Sequence, residues 1–467
     1  MIVLDFGAKV PLYIQLYQHF RQEIGNSSLA EGERLPSIRR LAQSLGISKI
    51  TVEKAYQQLA CEGYVSPGTR SCYSVNRLEV LEITMPTALE NVMEERSSRP
   101  MPEPVAYDFA SGEMDLAGFD FALWKRYINK VFADRERLMG YGHVKGEEEL
   151  RKQIAKYAKK SRGVPARPDQ IVIGAGVQSL LGILCRILKR SHHNIAFEDP
   201  GFKNGRRIFA DHDFDIIPVP MAGEGVRVQE LTDSGTRLVY LTPSHQFPTG
   251  RIMPVGQRNR LLRWAQGNDG LIIEDDYDSE LRYFGRPIPA LTGMDSCGRV
   301  IYLGSFSKVI PPSIRISYLV LPDSLLEVYQ ENDSMYSQTA ATLEQLALAA
   351  FMADGHFERQ IRRLRKHYYE KNRFFTDMLR DVLGDRVELR TTESGLHITV
   401  GIKSPLGAKE LQARALAQGC RVALLRDYYW EPLEESIPQV ILYFSRIPAE
   451  RIPAAVQALR RAWFPEQ

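Results

Sequence analysis

"GSFSKVIPPSIR", residues 304–315, is the stretch whose reading decides the fold. It follows the strand-like run VIYL (300–303). It sets Lys308 behind a glycine and two serines, Ser305 and Ser307, and puts Arg315 seven positions further on. In open α/β sheets, ligands bind beyond the carboxyl ends of strands, which is where this run turns polar. A lysine amine attacks carbonyl groups poorly while protonated, and burial or nearby cations lower its pKa. The pattern is that of an amine kept to react with an aldehyde.

Six further runs are short, rich in β-formers and mostly apolar on both faces: IVIGAG, NIAFEDPGF, DIIPVP, LVYLTPSH, LIIEDDYD and ISYLVLP. Such strands, alternating with helical stretches from about Val105 onward, predict a largely parallel sheet covered by helices. A shorter mixed segment after about residue 370 predicts a smaller α+β subdomain. The polar residues that close these runs supply what pyridoxal phosphate needs: an acid near the pyridine nitrogen, a donor to the ring oxygen and a phosphate cradle at a helix start. Asp275 ends a strand 33 residues before Lys308, and Tyr277 lies two positions on. Gly176, Val177 and Gln178 leave a strand and open a helix. Ser305, Ser307 and Arg315 add phosphate donors. Each feature alone is weak, since EDDYD by itself also suits a metal site or a solvated loop. Their order on successive strand ends carries the reading.

The first 76 residues have another character. In PLYIQLYQHFRQEI, Leu12, Leu16, Phe20 and Ile24 recur on one helical face. Ser37 caps a second short helix, which Gly46 ends; Ser48 caps a third, stopped at Gly63. YVSPGTRSCYSV reads as a hairpin with Pro67 and Gly68 at its turn. Two short helices joined by LGIS, then a hairpin, make a winged helix-turn-helix. Its candidate DNA contacts are Ser48, Lys49, Thr51 and Lys54 on the recognition helix, Ser37 and Arg39 before it, and Arg70 on the wing. Charge supports this only weakly: residues 1–76 hold three Lys and five Arg against one Asp and five Glu. A protein-binding winged helix is the alternative. Residues 77–104, with SSRPMPEP, read as a linker.

Bulk properties agree with a folded chain of two or three domains. It has 467 residues, of which 44% are hydrophobic and 25% charged, and a net charge of +3. Its five cysteines are scattered without a CxxC pair, so no metal site is expected. No signal peptide or membrane span is evident, and the protein is read as cytoplasmic.

YGHVKGEEELRKQIAKY, GAGVQSLL, EDPGF, TPSHQFPTG, IIEDDYDSELRY and GSFSKVIPPSIRISYLV resemble successive motifs of fold-type I aminotransferases. The N-terminal GERLPSIRRLA…LGIS…TVEKAYQQL…EGY resembles a GntR-type winged helix. Together they resemble the MocR-type transcription regulators. The resemblance implies a DNA-binding domain over 1–76, a linker over 77–104 and an aminotransferase-like effector domain over 105–467. It implies Lys308 as the Schiff-base lysine, Asp275 on the pyridinium nitrogen, Tyr277 on the ring oxygen, and Arg315 and Ser305 on the phosphate. It places Phe202 where a ring stacks on the cofactor and Tyr141 where a residue often reaches the partner subunit's cofactor. It also implies a head-to-tail homodimer on double-stranded promoter DNA.

Two departures bear on function. Aminotransferases usually have Asn where Phe247 stands, and an arginine for the substrate carboxylate where Ile441 stands. Arg426 and Arg446 are candidate substitutes, each also readable as an ion-paired surface residue. The expectation is a regulator rather than an enzyme, with at most weak transamination. Its effector is expected to be pyridoxal phosphate itself, in control of vitamin B6 synthesis. A regulator sensing an amino acid or amine that displaces Lys308, and a true aminotransferase carrying a DNA-binding module, remain the alternatives.

Overall fold

The computed structural model describes residues 2, 4–8, 10–26, 28–68, 72–77, 105–223, 225–283, 288–332, 335–390, 394–431 and 435–465. The chain divides into two compact units, Met1–Met101 and Pro102–Gln467. Arg70 and nearly all of the expected linker lie outside the described residues.

In the first unit, α1 (Leu12–Gly25) buries Leu16, Phe20 and Ile24 on the face its four-residue spacing predicts. The Ser37 hydroxyl accepts from the Arg40 N–H at the start of α2 (Ile38–Leu45), and Gly46 ends it at φ +67°. The Ser48 hydroxyl accepts from the Thr51 N–H at the start of α3 (Lys49–Cys61). The three helices close on Val52, Ala55, Tyr56 and Leu59 of α3, with the Tyr56 hydroxyl donating to Pro36 O at 2.9 Å. Truncating Leu16 or Leu59 to Ala costs about 2–5 kcal/mol. The wing pairs β1 (Val65–Pro67) with β2 (Tyr73–Val75), Val65 opposite Val75. Pro67 is therefore a strand residue facing Tyr73, not part of the turn. It sits on the edge of a two-stranded ribbon, where a missing N–H is tolerated.

The second unit is built on an eight-stranded sheet. Its strands are β4 (Ile171–Gly174), β5 (Asn194–Asp199), β6 (Asp215–Ala222), β7 (Gly225–Val226), β8 (Leu238–Leu241), β9 (Leu271–Asp276), β10 (Val300–Ser305) and β11 (Ser317–Val320). Their order is β4-β11-β10-β9-β8-β5-β6-β7. β10, β9, β8, β5 and β6 run parallel, while β11 is antiparallel to both β10 and β4, and β7 to β6. The sheet is thus mixed. An apolar run covered on both faces looks the same in either direction, so ISYLV carries no sign of its polarity. Most inner-strand residues are fully buried.

Helix α4 (Val177–Leu188) opens after β4, and much later the long helix α5 (His356–Leu383) runs straight through residue 370, so the expected subdomain boundary falls inside a helix. Beyond it, β12 (Val387–Arg390), β13 (His397–Ile402), β15 (Ala423–Leu424) and β16 (Gln439–Tyr443) form an antiparallel sheet in the order β12-β13-β16-β15. The start of the unit is tied to this C-terminal part: β3 (Tyr107–Asp108) runs parallel to β14 (Cys420–Arg421). Among the described residues, no helix is long and apolar enough to cross a membrane.

Candidate functional site

The carboxyl ends of β9 and β10 and the start of α4 converge with β13 and β16 on a cavity of about 200 Å³. Its lining includes Val177, Phe202, Asp275, Tyr277, Ser305, Ser307 and Lys308 of the residues expected from sequence, and Phe247 at the Asn position. It also includes Thr242, Asp278, Leu396, His397 and Tyr443, which sequence reading missed. A groove of about 920 Å³ bordered by Arg227, Arg260 and Trp264 lies elsewhere on the unit and shares no residue with this cavity.

Strand alternation sorts the three acids of IIEDD. Glu274 and Asp276 face one side of β9 and Asp275 the other. Glu274 accepts from the Leu291 and Thr292 N–H groups and the Thr292 hydroxyl. Asp276 is paired with Arg162 at 2.6 Å and accepts from the Tyr302 hydroxyl at 2.5 Å. Among the described residues Asp275 has one partner, the Tyr240 hydroxyl, which donates to Oδ2. Its Oδ1 is buried with no partner among the described residues. Burial raises the Asp275 carboxyl to about 7, against the opposing pull of the Tyr240 bond.

The Lys308 amine donates to Gly112 O at 2.6 Å, and burial lowers its pKa. The Tyr277 hydroxyl lies 3.0 Å from His245 Nδ1, which is 2.8 Å from Asp278 Oδ2. His397 Nε2 lies 2.9 Å from Pro248 O, and burial holds the ring down at about 4, so it is neutral at pH 7.

The turn between β4 and α4 is set by Gly176, at φ +86°. A Cβ there would stand 2.3 Å from the Arg315 guanidinium, so only glycine lets that cation lie against the helix start. Arg315 is itself left-handed, at φ +58°, and donates to Ala175 O at 3.1 Å. Ser305 Oγ lies 3.0 Å from Ser307 Oγ and 3.1 Å from Ser317 Oγ. Val177, Ser305 and Ser307 thus line the cavity, while Gly176 and the exposed Arg315, which lie together at the helix start, are not part of its lining. Gln178 is exposed and does not line it.

The remaining candidates lie elsewhere. Arg446 pairs with Glu113 at 2.9 Å and borders a separate concavity with Arg421 and Arg451. Arg426 does not line the cavity either; its charge acts on Glu435. Ile441 is fully buried in the main hydrophobic cluster. Tyr141 is fully exposed and makes no part of this chain's cavity. Among the described residues, no group of His, Cys, Asp and Glu could hold a metal ion.

In the first unit, Arg39, Ser48, Lys49 and Lys54 are exposed, and Ser37 and Thr51 half-buried. Ser48 and Thr51 bond each other, Oγ to Oγ1, at 2.8 Å. Lys54 Nζ lies 5.9 Å from the centre of the Tyr13 ring. Ile50, missed in the sequence because it fits an ordinary helix, is 65% exposed beside Lys49.

Residues 12–72 match the family of bacterial regulatory proteins, gntR family, and residues 106–431 match aminotransferase class I and II. The chain is 38% identical to the uncharacterized HTH-type transcriptional regulator YdeL of Bacillus subtilis, over 97% of each chain. It is 31% identical to the probable rhizopine catabolism regulatory protein MocR of Rhizobium meliloti, over 99% of this chain and 96% of the relative. It is 33% identical to the HTH-type pyridoxine biosynthesis transcriptional regulator PdxR of Corynebacterium glutamicum, over 89% and 88%. In fold it is similar to the α-aminoadipate aminotransferase LysN of Thermus thermophilus, solved with N-(5'-phosphopyridoxyl)-L-leucine. The TM-score is 0.68 and the identity 24%, over 77% of this chain and 92% of that one. The chain therefore belongs to the MocR-type regulators, in which a GntR-type winged helix is fused to an aminotransferase-like domain of fold type I.

Proposed function

We propose that this protein is a DNA-binding transcription regulator that binds pyridoxal phosphate at Lys308, and that the cofactor is itself the signal. The observation that carries the reading is the unpartnered Asp275 Oδ1, buried in the same cavity as the Lys308 amine. An orphaned buried carboxylate oxygen is costly unless a donor arrives. A protonated ring nitrogen is such a donor. Pyridoxal phosphate, when bound, supplies an aldehyde for the lysine and a ring that draws electrons.

The chain's own residues fit that group. Lys308 would hold its aldehyde carbon and Asp275 its ring nitrogen. Tyr277 would donate to its ring oxygen, with His245 and Asp278 behind the phenol. Gly176, Val177 and Gln178 offer N–H groups, and Ser305, Ser307 and Arg315 side chains, to its phosphate. Phe202, stacked at 6.0 Å on Tyr240, would cover the ring. Tyr141, exposed on a single chain, suits a role in a head-to-tail homodimer. Among the described residues no arginine lines the cavity, and Ile441 sits in the core. These features favour a receptor over an aminotransferase. The relationship to PdxR favours vitamin B6 synthesis as the regulated process.

On DNA, Ser48, Lys49, Thr51 and Lys54 would enter the major groove, with Arg39 and Ser37 at phosphates. Ile50 adds an apolar side chain suited to a thymine methyl group. The deciding experiment footprints the cofactor-free and loaded protein on its own upstream DNA, with and without a panel of amino acids. Loading is expected to change the footprint. Identical footprints, with a change on adding one amino acid, would instead establish amine sensing.

A further inference from the structure

Residues 105–115, the first described residues of the effector unit, are anchored at both ends. On one side the Tyr107 N–H donates to Gly419 O at 2.9 Å and the Phe109 N–H to Arg421 O at 2.8 Å. The Tyr443 N–H in turn donates to Phe109 O at 2.8 Å. On the other side Asp115 accepts from Lys371 at 2.6 Å, lies 3.1 Å from His367 Nε2, and donates its N–H to the Tyr368 hydroxyl at 3.0 Å. Between the anchors the chain passes against Lys308 and Tyr443 of the cavity lining. Among the described residues, the backbone of residues 111–114 makes a single hydrogen bond, the one that Gly112 O accepts from Lys308. The approach is close: a Cβ on Gly112 would stand 2.6 Å from the Tyr443 ring and 3.2 Å from Lys308 Nζ. Glu113, next in the chain, is held by Arg446.

Resting on the cofactor reading above, we propose that Gly112 is a positioning residue for Lys308, and that their hydrogen bond is a latch through which the state of the lysine is read at the root of the linker. With a free amine, the latch holds residues 111–114 against the cavity. When the lysine nitrogen condenses with an aldehyde carbon, a C=N bond replaces C=O. Both hydrogens of the neutral amine leave with the oxygen as water. The nitrogen then carries no hydrogen to donate to Gly112 O unless it takes up a proton, and its direction is set by the new double bond. The Gly112 carbonyl is released, and the segment is left with its end anchors alone. Val105 is where the described part of the effector unit begins, next to the expected linker, so loosening here lies at the end of the unit nearest the DNA-binding domain in sequence.

Hydrogen exchange on the full-length protein tests this, at the amides of Tyr107, Phe109, Asp115 and Tyr443. Four samples are compared: cofactor-free wild type, wild type loaded with pyridoxal phosphate, and cofactor-free Lys308→Met and Lys308→Arg. Losing one hydrogen bond of ordinary strength should speed exchange roughly three- to tenfold. Faster exchange is expected in the loaded protein and in Lys308→Met, but not in Lys308→Arg, which keeps a donor. Unchanged exchange in Lys308→Met overturns the latch. Faster exchange in Lys308→Met without any change on loading overturns its role as a reporter. Mass spectrometry after borohydride reduction tells this apart from failure of the cofactor reading. If no adduct forms at Lys308, that reading fails, while the Lys308→Met comparison still decides whether Gly112 positions the amine.

Discussion

Tyr240 and Asp275 lie on adjacent parallel strands, and the phenol donates to Oδ2 while Oδ1 is left without a partner. The bond fixes the plane of the carboxylate. The free oxygen is what a ring N–H would meet. Asp275→Asn should weaken pyridoxal phosphate binding roughly ten- to hundredfold, since a charge-assisted bond is exchanged for a neutral one. Absorbance titration of the two proteins checks this. Equal affinities would remove Asp275 from the site.

The same carboxyl makes the free protein sensitive to pH. Burial raises Asp275 from 3.8 to about 7, and Glu198, also buried, from 4.5 to about 7. The folded state therefore holds protons that the unfolded state has released. Stability should fall as pH rises from about 4 to about 7, then level off, by on the order of a few kcal/mol. Thermal unfolding across that range checks the sign, and Asp275→Asn should flatten part of the slope.

Gly176→Ala tests the phosphate side. The added methyl meets the Arg315 guanidinium, and the backbone is left-handed there. The variant should still fold, at a cost of about 1–2 kcal/mol. It should lose most of its preference for pyridoxal phosphate over pyridoxal. Paired titrations with the two compounds give that ratio.

Restoring an arginine at position 441 should not create an aminotransferase. Ile441 is fully buried among apolar side chains, opposite Thr399 on β13. An unpaired charge placed there costs several kcal/mol. Ile441→Arg is expected to lower the melting temperature sharply and to show no sustained transamination. A stable variant that turns over an amino acid would show the pocket to be closer to an enzyme's than its lining indicates.

On the DNA side, Arg39→Ala should weaken binding on all sequences and lower the salt slope by about one, whereas Lys49→Ala should weaken binding and relax sequence preference. Ile50→Ala should leave folding intact, because the side chain is exposed, but relax sequence preference. Replacing thymine by uracil in the footprinted site should then matter for the wild type and not for the variant.

The cavity was legible where chemistry sits on strand ends. Lys308, Asp275, Tyr277, Ser305, Ser307, Val177 and Phe202 come from local runs whose polar tails follow apolar strands. Gly112, Tyr240, His397 and Tyr443 were not legible. Each sits in a stretch that reads as an ordinary loop or core strand, and only the three-dimensional crossing of distant segments turns it toward the lysine. The reversal of β11 was hidden for a related reason, since burial on both faces erases the alternation that would signal it. The sequence left Arg446 open between a ligand and an ion-paired surface residue, because position next to Ser445 says nothing of direction; the side chain turns to Glu113.

The two-residue strand β3 has a mechanical consequence. It stitches the first turns of the effector domain to Cys420 and Arg421, more than three hundred residues later. Tension that enters the effector unit along the chain at Val105 is delivered first to the bonds between Tyr107 and Gly419 and between Phe109 and Arg421. Because the two strands run parallel, a pull toward the N-terminus loads those bonds together, in shear, rather than one after another. The short strand β14 is therefore the part that bears the load.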